Sequence, residues 1–135
     1  MIIYKETKTP NEKEVVKLYN DANWSAYTKD VDTLTEAIKN SLYVLTAWDG
    51  DKLVGLIRLV GDGKTIIYIQ DILVLKAYKQ NKIGTTLVKK ALDNYKKVRQ
   101  VVLLTDDNQE TRSFYESLDF ESCDKGKLVS FAKFR

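Results

Sequence analysis

The chain has 135 residues, of which 44% are hydrophobic and 30% charged, with one Pro and six Gly, which suits one folded domain with its own core and argues against disorder. It has no histidine and a single cysteine, which excludes Ser/His and Cys/His nucleophile pairs, an internal disulfide and a cysteine cluster for metal. The net charge of +3 is unevenly placed: from Lys76 to Arg99 eight cations face one acid, Asp93, a stretch that is either built for an anion or the solvated face of a lysine-rich helix.

In chain order, Ile2 to Lys5 is a short strand candidate. Thr9-Pro10-Asn11-Glu12 then supplies an N-cap, a proline at the first helical position and a glutamate three residues after the cap. Val15, Val16, Leu18, Tyr19 and Ala22 form the apolar stripe of that helix, and Val31, Leu34, Ala37 and Ile38 mark a second helix from about Asp30. Leu42 to Trp48 and Leu53 to Val60 are β-rich runs joined by Asp49-Gly50-Asp51-Lys52, which predicts an antiparallel hairpin. Thr65 to Leu75 is apolar on both alternating faces and reads as the central strand. Ile83, Leu87, Val88, Ala91, Leu92 and Tyr95 recur at helical spacing, with most lysines off that stripe. Val101 to Leu104 is a further strand, and Glu110 to Leu118 a helix burying Phe114 and Leu118. Strand, helix, strand, helix favours a parallel crossover. Phe120 to Cys123 and Leu128 to Phe134 flank a turn at Asp124-Lys125-Gly126-Lys127 and are expected to close a mixed sheet as an antiparallel pair.

No linker, low-complexity tract or internal repeat interrupts residues 1–135, so a single domain is expected. Lys5 and Glu6 come too early for a secretory apolar segment, and no apolar run approaches the ~20 residues that span a bilayer. Together with the lone Cys123, read as a structural residue, this makes the cytoplasm the expected location.

The chemistry concentrates where the central strand runs into the long helix. The loop Tyr78-Lys79-Gln80-Asn81-Lys82-Ile83-Gly84 delivers backbone N–H groups and a helix N-terminus to the mouth of the sheet, which suits phosphate. These residues resemble the GNAT superfamily of N-acetyltransferases, in which the loop Arg/Gln-x-x-Gly-x-Gly/Ala holds the pyrophosphate of acetyl-CoA. In that alignment Lys79, Gln80, Asn81, Lys82, Ile83 and Gly84 are the cofactor-binding residues, with Lys82 where the family normally has glycine. A second motif lies downstream: Asn108 precedes Phe114-Tyr115 by the family spacing, followed by Glu116-Ser117-Leu118-Asp119-Phe120, with Asp119 replacing a family glycine. The resemblance implies that Asn108 contacts the pantetheine region, that Tyr115 protonates or hydrogen-bonds the departing thiolate, and that backbone groups of Ile72, Leu73 and Val74 bind pantetheine and polarise the thioester. Read as residues alone, Phe114 and Tyr115 are equally ordinary core aromatics.

The resemblance covers nearly the whole chain. It is closest to small bacterial members and is similar to plant-type serotonin N-acetyltransferases around Asn40-Ser41, Gln70-Asp71-Ile72-Leu73-Val74 and Phe131 to Phe134. It implies an α/β fold with a mixed sheet and about four flanking helices, and transfer of acetyl from acetyl-CoA to a primary amine, small molecule or protein amino group, by direct attack, with no metal. The amine must lose a proton, and Asp71 is the candidate base, a carboxylate in an apolar strand where desolvation favours protonation. A structural ion pair with Arg58 is the equal alternative. Trp24 and Tyr27 lie where the family forms its acceptor pocket and suit an amine through cation–π contact, unless they merely pack under their loop. Neither nucleic acid nor membrane is expected as a partner, and a homodimer is left open. A non-catalytic acyl-CoA binding domain is the rival reading.

Overall fold

The structure, a computed structural model, describes residues 1–135, and the chain divides into two compact units, 1–104 and 105–135. In the first unit β1 (Ile3–Glu6), β2 (Tyr43–Asp49), β3 (Lys52–Gly61), β4 (Ile66–Val74) and β5 (Gln100–Val102) form one sheet in chain order. The pairs from β1 to β4 are antiparallel and β4–β5 is parallel, so the sheet is mixed as expected. The middle strand, however, is β3 and not β4. β3 is buried without interruption from Leu53 to Leu59, whereas β4 alternates between buried and more accessible positions. An apolar run on both faces marks a covered strand, and β3 satisfies that description better.

α1 (Glu12–Asp21), the one-turn α2 (Ser25–Thr28) and α3 (Val31–Lys39) follow β1. α1 starts later than the Thr9 cap reading: Asn11 Oδ1 accepts the Glu14 N–H at 3.1 Å and is the N-cap, while Thr9 donates its own N–H to Thr7 Oγ1. Glu14 does not return to the cap. Its Oε1 accepts the Leu53 N–H at 3.0 Å and so ties the helix to the start of β3; that bond, first among the causes, holds its carboxyl below the usual glutamate value. Val15, Leu18 and Tyr19 of α1 and Leu34 and Ile38 of α3 pack on Val44, Leu53, Leu56 and Leu73 of the sheet.

α4 (Ile83–Asp93) crosses between β4 and β5 and packs against β2 and β3. Gly55 permits the close approach: a Cβ there would lie 3.0 Å from Ile83 Cγ2, 3.1 Å from Leu87 Cδ1 and 3.2 Å from the Leu73 carbonyl oxygen. The small residue on β3 therefore seats the first two turns of α4 against the sheet.

The second unit holds α5 (Gln109–Ser117) and a short 3₁₀ turn, Cys123–Lys125. The expected closing strand pair is absent: residues 126–135 have no regular structure, and Leu128, Val129, Phe131 and Phe134 are 63%, 76%, 95% and 88% exposed. Their β-rich pattern specifies a face, but a strand also needs a ladder neighbour, and the pattern does not supply one. Cys123, read from the sequence as a structural residue, is free and exposed and opens the 3₁₀ turn. Arg112 organises this unit, its guanidinium donating to Asp107 at 2.7 Å, to Asp124 at 2.8 Å and to Ser122 at 3.1 Å.

Candidate functional site

β4 and β5 pair only at Ile66–Gln100, Ile67–Val101 and Tyr68–Val102. Beyond Tyr68 the β5 side of β4 is open. On the other side Leu75 donates its N–H to the Val54 carbonyl, so by strand alternation Leu73 also faces β3, while the N–H and C=O groups of Ile72 and Val74 face the open side. Of the three backbone positions expected to hold pantetheine, two therefore present unpaired groups there and Leu73 spends its own on β3. The irregularity of β4 lies just upstream: the register steps from Arg58↔Asp71 to Leu59↔Ile69, leaving Gln70 as the extra residue of a bulge. Bulges of this kind re-aim a side chain.

β4 leads into a 3₁₀ segment, Lys76–Asn81, and then into α4. Two acids fasten it: Asp21 Oδ2 accepts the Lys76 N–H at 2.8 Å, and Asp49 Oδ2 accepts the Tyr78 hydroxyl at 2.6 Å. Lys79, Gln80, Asn81 and Lys82 are exposed, and no side chain caps α4. The first N–H groups of that helix thus stand uncapped at the end where β4 opens, beside two exposed lysines, and this donor set fits a diphosphate. Lys82 has φ +57° and ψ +23°, in the left-handed region, so the backbone keeps the conformation that glycine serves in the resembling loop. Left-handed geometry costs an L-residue about 1–2 kcal/mol, and glycine returns about 0.4–1 kcal/mol of that through a freer unfolded chain. Lys82→Gly is therefore expected to stabilise the protein by about 0.5 kcal/mol in urea unfolding, whereas Lys82→Ala, which keeps the Cβ, is expected to give no such gain.

Asp71 is 1% exposed and accepts three protein donors. Arg58 Nε on β3 and Tyr19 Oη on α1 each donate to Oδ2 at 2.8 Å, and Tyr27 Oη donates to Oδ1 at 3.3 Å. Arg58 also reaches Ser41 Oγ at 3.4 Å. The ion pair posed from the sequence thus exists, and it is buried. Burial, followed by the Asp71 charge, pushes the Tyr19 and Tyr27 phenols above the usual tyrosine value, so both keep their protons and act as donors. Burial opposes the charge of Arg58, but the Asp71 carboxylate outweighs it and holds the guanidinium above its ordinary value.

Tyr27 is half-buried and is the route by which this network meets the surface, since its hydroxyl also accepts Gln70 Nε2 at 3.2 Å from the bulge. Tyr19 meets Trp24 and Tyr27 in T-shaped contacts, and Trp24 and Tyr27 are tilted on each other, with centroids 5.3–6.1 Å apart. The end of α1 sets this up: Asn23 takes a left-handed φ of +63°, and Trp24 donates its N–H to the Tyr19 carbonyl. That is a Schellman cap, which places Trp24 on Tyr19. Trp24 and Tyr27 therefore do pack under their loop, and Tyr27 in addition reaches the carboxylate. Sequence reading placed Tyr19 in the apolar stripe and missed its hydroxyl; the available signal was a phenol on a helix face directed at a strand carrying a carboxylate.

In the second unit, Asn108 is the N-cap of α5, its Oδ1 accepting the Thr111 N–H at 2.8 Å, which fixes the side chain. Tyr115 packs edge to face between Phe114 and Phe120. The α5 C-terminus repeats the cap seen in α1: Asp119 has φ +69° and bonds Glu116, while Phe120 donates to the Tyr115 carbonyl. Asp119, like Lys82, stands where the family pattern has glycine and keeps the glycine conformation. The unit-1 candidates Asp71, Trp24 and Tyr27 are brought together, and the strand and loop candidates share one end of β4; Asn108 and Tyr115 share α5. No group of three or more His, Cys, Asp or Glu is gathered as for a metal ion, and no helix is long and apolar enough to cross a membrane.

Comparison with known proteins agrees with this geometry. The chain is similar over 100% of its length, and 98% of the other chain, to a GNAT-family acetyltransferase from Streptococcus pneumoniae, with 35% identity and a TM-score of 0.90. It shares its fold with an aminoglycoside acetyltransferase from an uncultured soil metagenomic sample, solved with sisomicin (19% identity, TM-score 0.74, covering 99% and 96%). It shares it also with an aminoglycoside N-acetyltransferase solved with CoA (17% identity, TM-score 0.75, covering 100% and 95%). No curated protein gives a match. The likeness to plant-type serotonin N-acetyltransferases stays a resemblance of short motifs. With the family model "Acetyltransferase (GNAT) domain" matching residues 6–133, on a sheet that opens beside an uncapped helix start, the chain belongs to the GNAT acetyltransferases.

Proposed function

We propose that the chain, working as one functional domain, moves the acetyl group of acetyl-CoA to a primary amine by direct attack within a ternary complex. The observation that carries this reading is the open edge of β4 ending at the uncapped start of α4. Ile72 and Val74 bind the pantetheine and polarise the thioester carbonyl through their outward backbone groups, as an oxyanion hole does. The amides at Ile83 and Gly84 hold the diphosphate, with Lys79 and Lys82 adding charge and Gln80 and Asn81 flanking them; the assignment of Asn108 to pantetheine rests on the motif resemblance alone.

The amine arrives as an ammonium with a pKa near 10.4 and must lose a proton before attack. Asp71 is the proposed base and, being 1% exposed, works through Tyr27. The ammonium gives its proton to the Tyr27 oxygen while the Tyr27 proton passes to Asp71 Oδ1. Tyr27, with its proton directed inward, and Gln70, with its amide nitrogen committed to Tyr27, offer oxygen acceptors outward. That polarity favours a donor such as an ammonium, and the Trp24 face adds cation–π attraction. Asp71→Asn is expected to lower kcat by about 10²-fold; an unchanged kcat moves the base elsewhere.

The direct test combines calorimetry of acetyl-CoA binding with a thiol-release assay over a panel of primary amines. Binding with amine-dependent thiol release is the expected result. Binding without release from any amine supports a non-catalytic acyl-CoA domain, and absence of both defeats the proposal.

A further inference from the structure

The parallel ladder between β4 and β5 stops for a reason visible in its donors. Gln100 donates its N–H to the Thr65 carbonyl at 3.2 Å, so along β5 the N–H groups of residues 100, 102 and 104 point toward β4 and those of 101 and 103 point away. Continued in register, the Leu104 N–H would meet the carbonyl of Ile69. It instead donates to the hydroxyl of Tyr68 at 3.1 Å. A side chain of β4 has taken the donor that the next rung of the ladder requires, at the position where pairing ends. Leu104, at 48% exposed, is already outside the packed sheet.

We infer that Tyr68 is the positioning residue that keeps the cofactor edge of β4 open, acting through Leu104 and not by touching a ligand. Resting on the proposed acetyl-CoA reading, this assigns a task to a side chain outside the resembling motifs. Without the hydroxyl, the Leu104 N–H is released to the Ile69 carbonyl, β5 lengthens along β4, and the space in front of Ile72 and Val74 narrows. The same phenol explains why the opening begins after Tyr68 and not one rung earlier or later.

Tyr68→Phe tests this, because it keeps the ring and removes the hydroxyl alone. Hydrogen exchange of the Leu104 amide in the ligand-free protein is the first readout. Slower exchange in the variant, from a new and better sheltered ladder bond, is expected; exchange that is unchanged or faster overturns the inference. The second readout is acetyl-CoA binding by calorimetry with steady-state kinetics. A loss of affinity of about tenfold, equivalent to about 1.4 kcal/mol, is expected, with acetyl-CoA KM rising in step and kcat and amine KM near wild type. Affinity within twofold of wild type also overturns it. A wild type that binds no acetyl-CoA would defeat the functional reading and leave the exchange comparison to judge the wedge alone. Tyr68→Leu, lacking ring and hydroxyl, should behave as Tyr68→Phe does if the hydroxyl is what matters.

Discussion

Arg58→Met lowers the free energy of unfolding by about 3–5 kcal/mol, measured by urea titration with Trp24 and Trp48 fluorescence. The substitution keeps much of the apolar stem and removes the cation facing Asp71, which is 1% exposed. Tyr19 and Tyr27 continue to donate to the carboxylate, but two neutral hydroxyls do not offset a charge removed from water as a guanidinium at 2.8 Å does. A matched double variant, Arg58→Met with Asp71→Leu, recovers most of the loss, because replacing both members of a buried pair with apolar groups is often near neutral. A single-variant loss below about 1 kcal/mol would mean that the pair behaves as a surface bridge and that Asp71 reaches water in solution.

The pair shows how far residue reading extends. Arg58 and Asp71 were legible as neighbours because charge in two otherwise apolar strands calls for compensation, and strand pairing delivers it at a single register position. The hairpin, the α4 stripe and the parallel crossover were legible for a similar reason, each being a local period with a turn signal. What was not legible depends on distant partners. Asn11 won the α1 cap from Thr9 through backbone geometry that neither residue type declares, and the residues after Gly126 carry a strand pattern with no ladder to join. Tyr19, Tyr68 and Gln70 act through single atoms whose partners lie 52, 36 and 43 residues away, and no local spacing announces a hydroxyl's direction. Lys82 and Asp119 sit between these cases. A family pattern names glycine at both positions, and the positive φ at each shows that the backbone requirement persists after the residue has changed.

Tyr115→Phe is expected to lower kcat by about 10²-fold or more while leaving acetyl-CoA affinity near wild type. The ring contacts with Phe114 and Phe120, at 5.0 Å and 5.6 Å between centroids, and the Phe120 N–H bond to the Tyr115 carbonyl do not depend on the hydroxyl. A kinetic loss is assigned to the phenol when the unfolding free energy of the variant matches wild type. The departing thiolate has a pKa of about 8.5 against about 10 for a phenol, which makes full proton transfer uphill by roughly 2 kcal/mol, whereas a hydrogen bond that strengthens as charge accumulates on sulfur is not uphill. The two roles separate experimentally. If Tyr115 only stabilises developing charge, acyl-thioesters with more acidic leaving thiols progressively restore kcat in the variant, because less charge stabilisation is needed. If kcat is unchanged for acetyl-CoA itself, the phenol takes no part in the chemistry, and the departing sulfur must find its partner elsewhere.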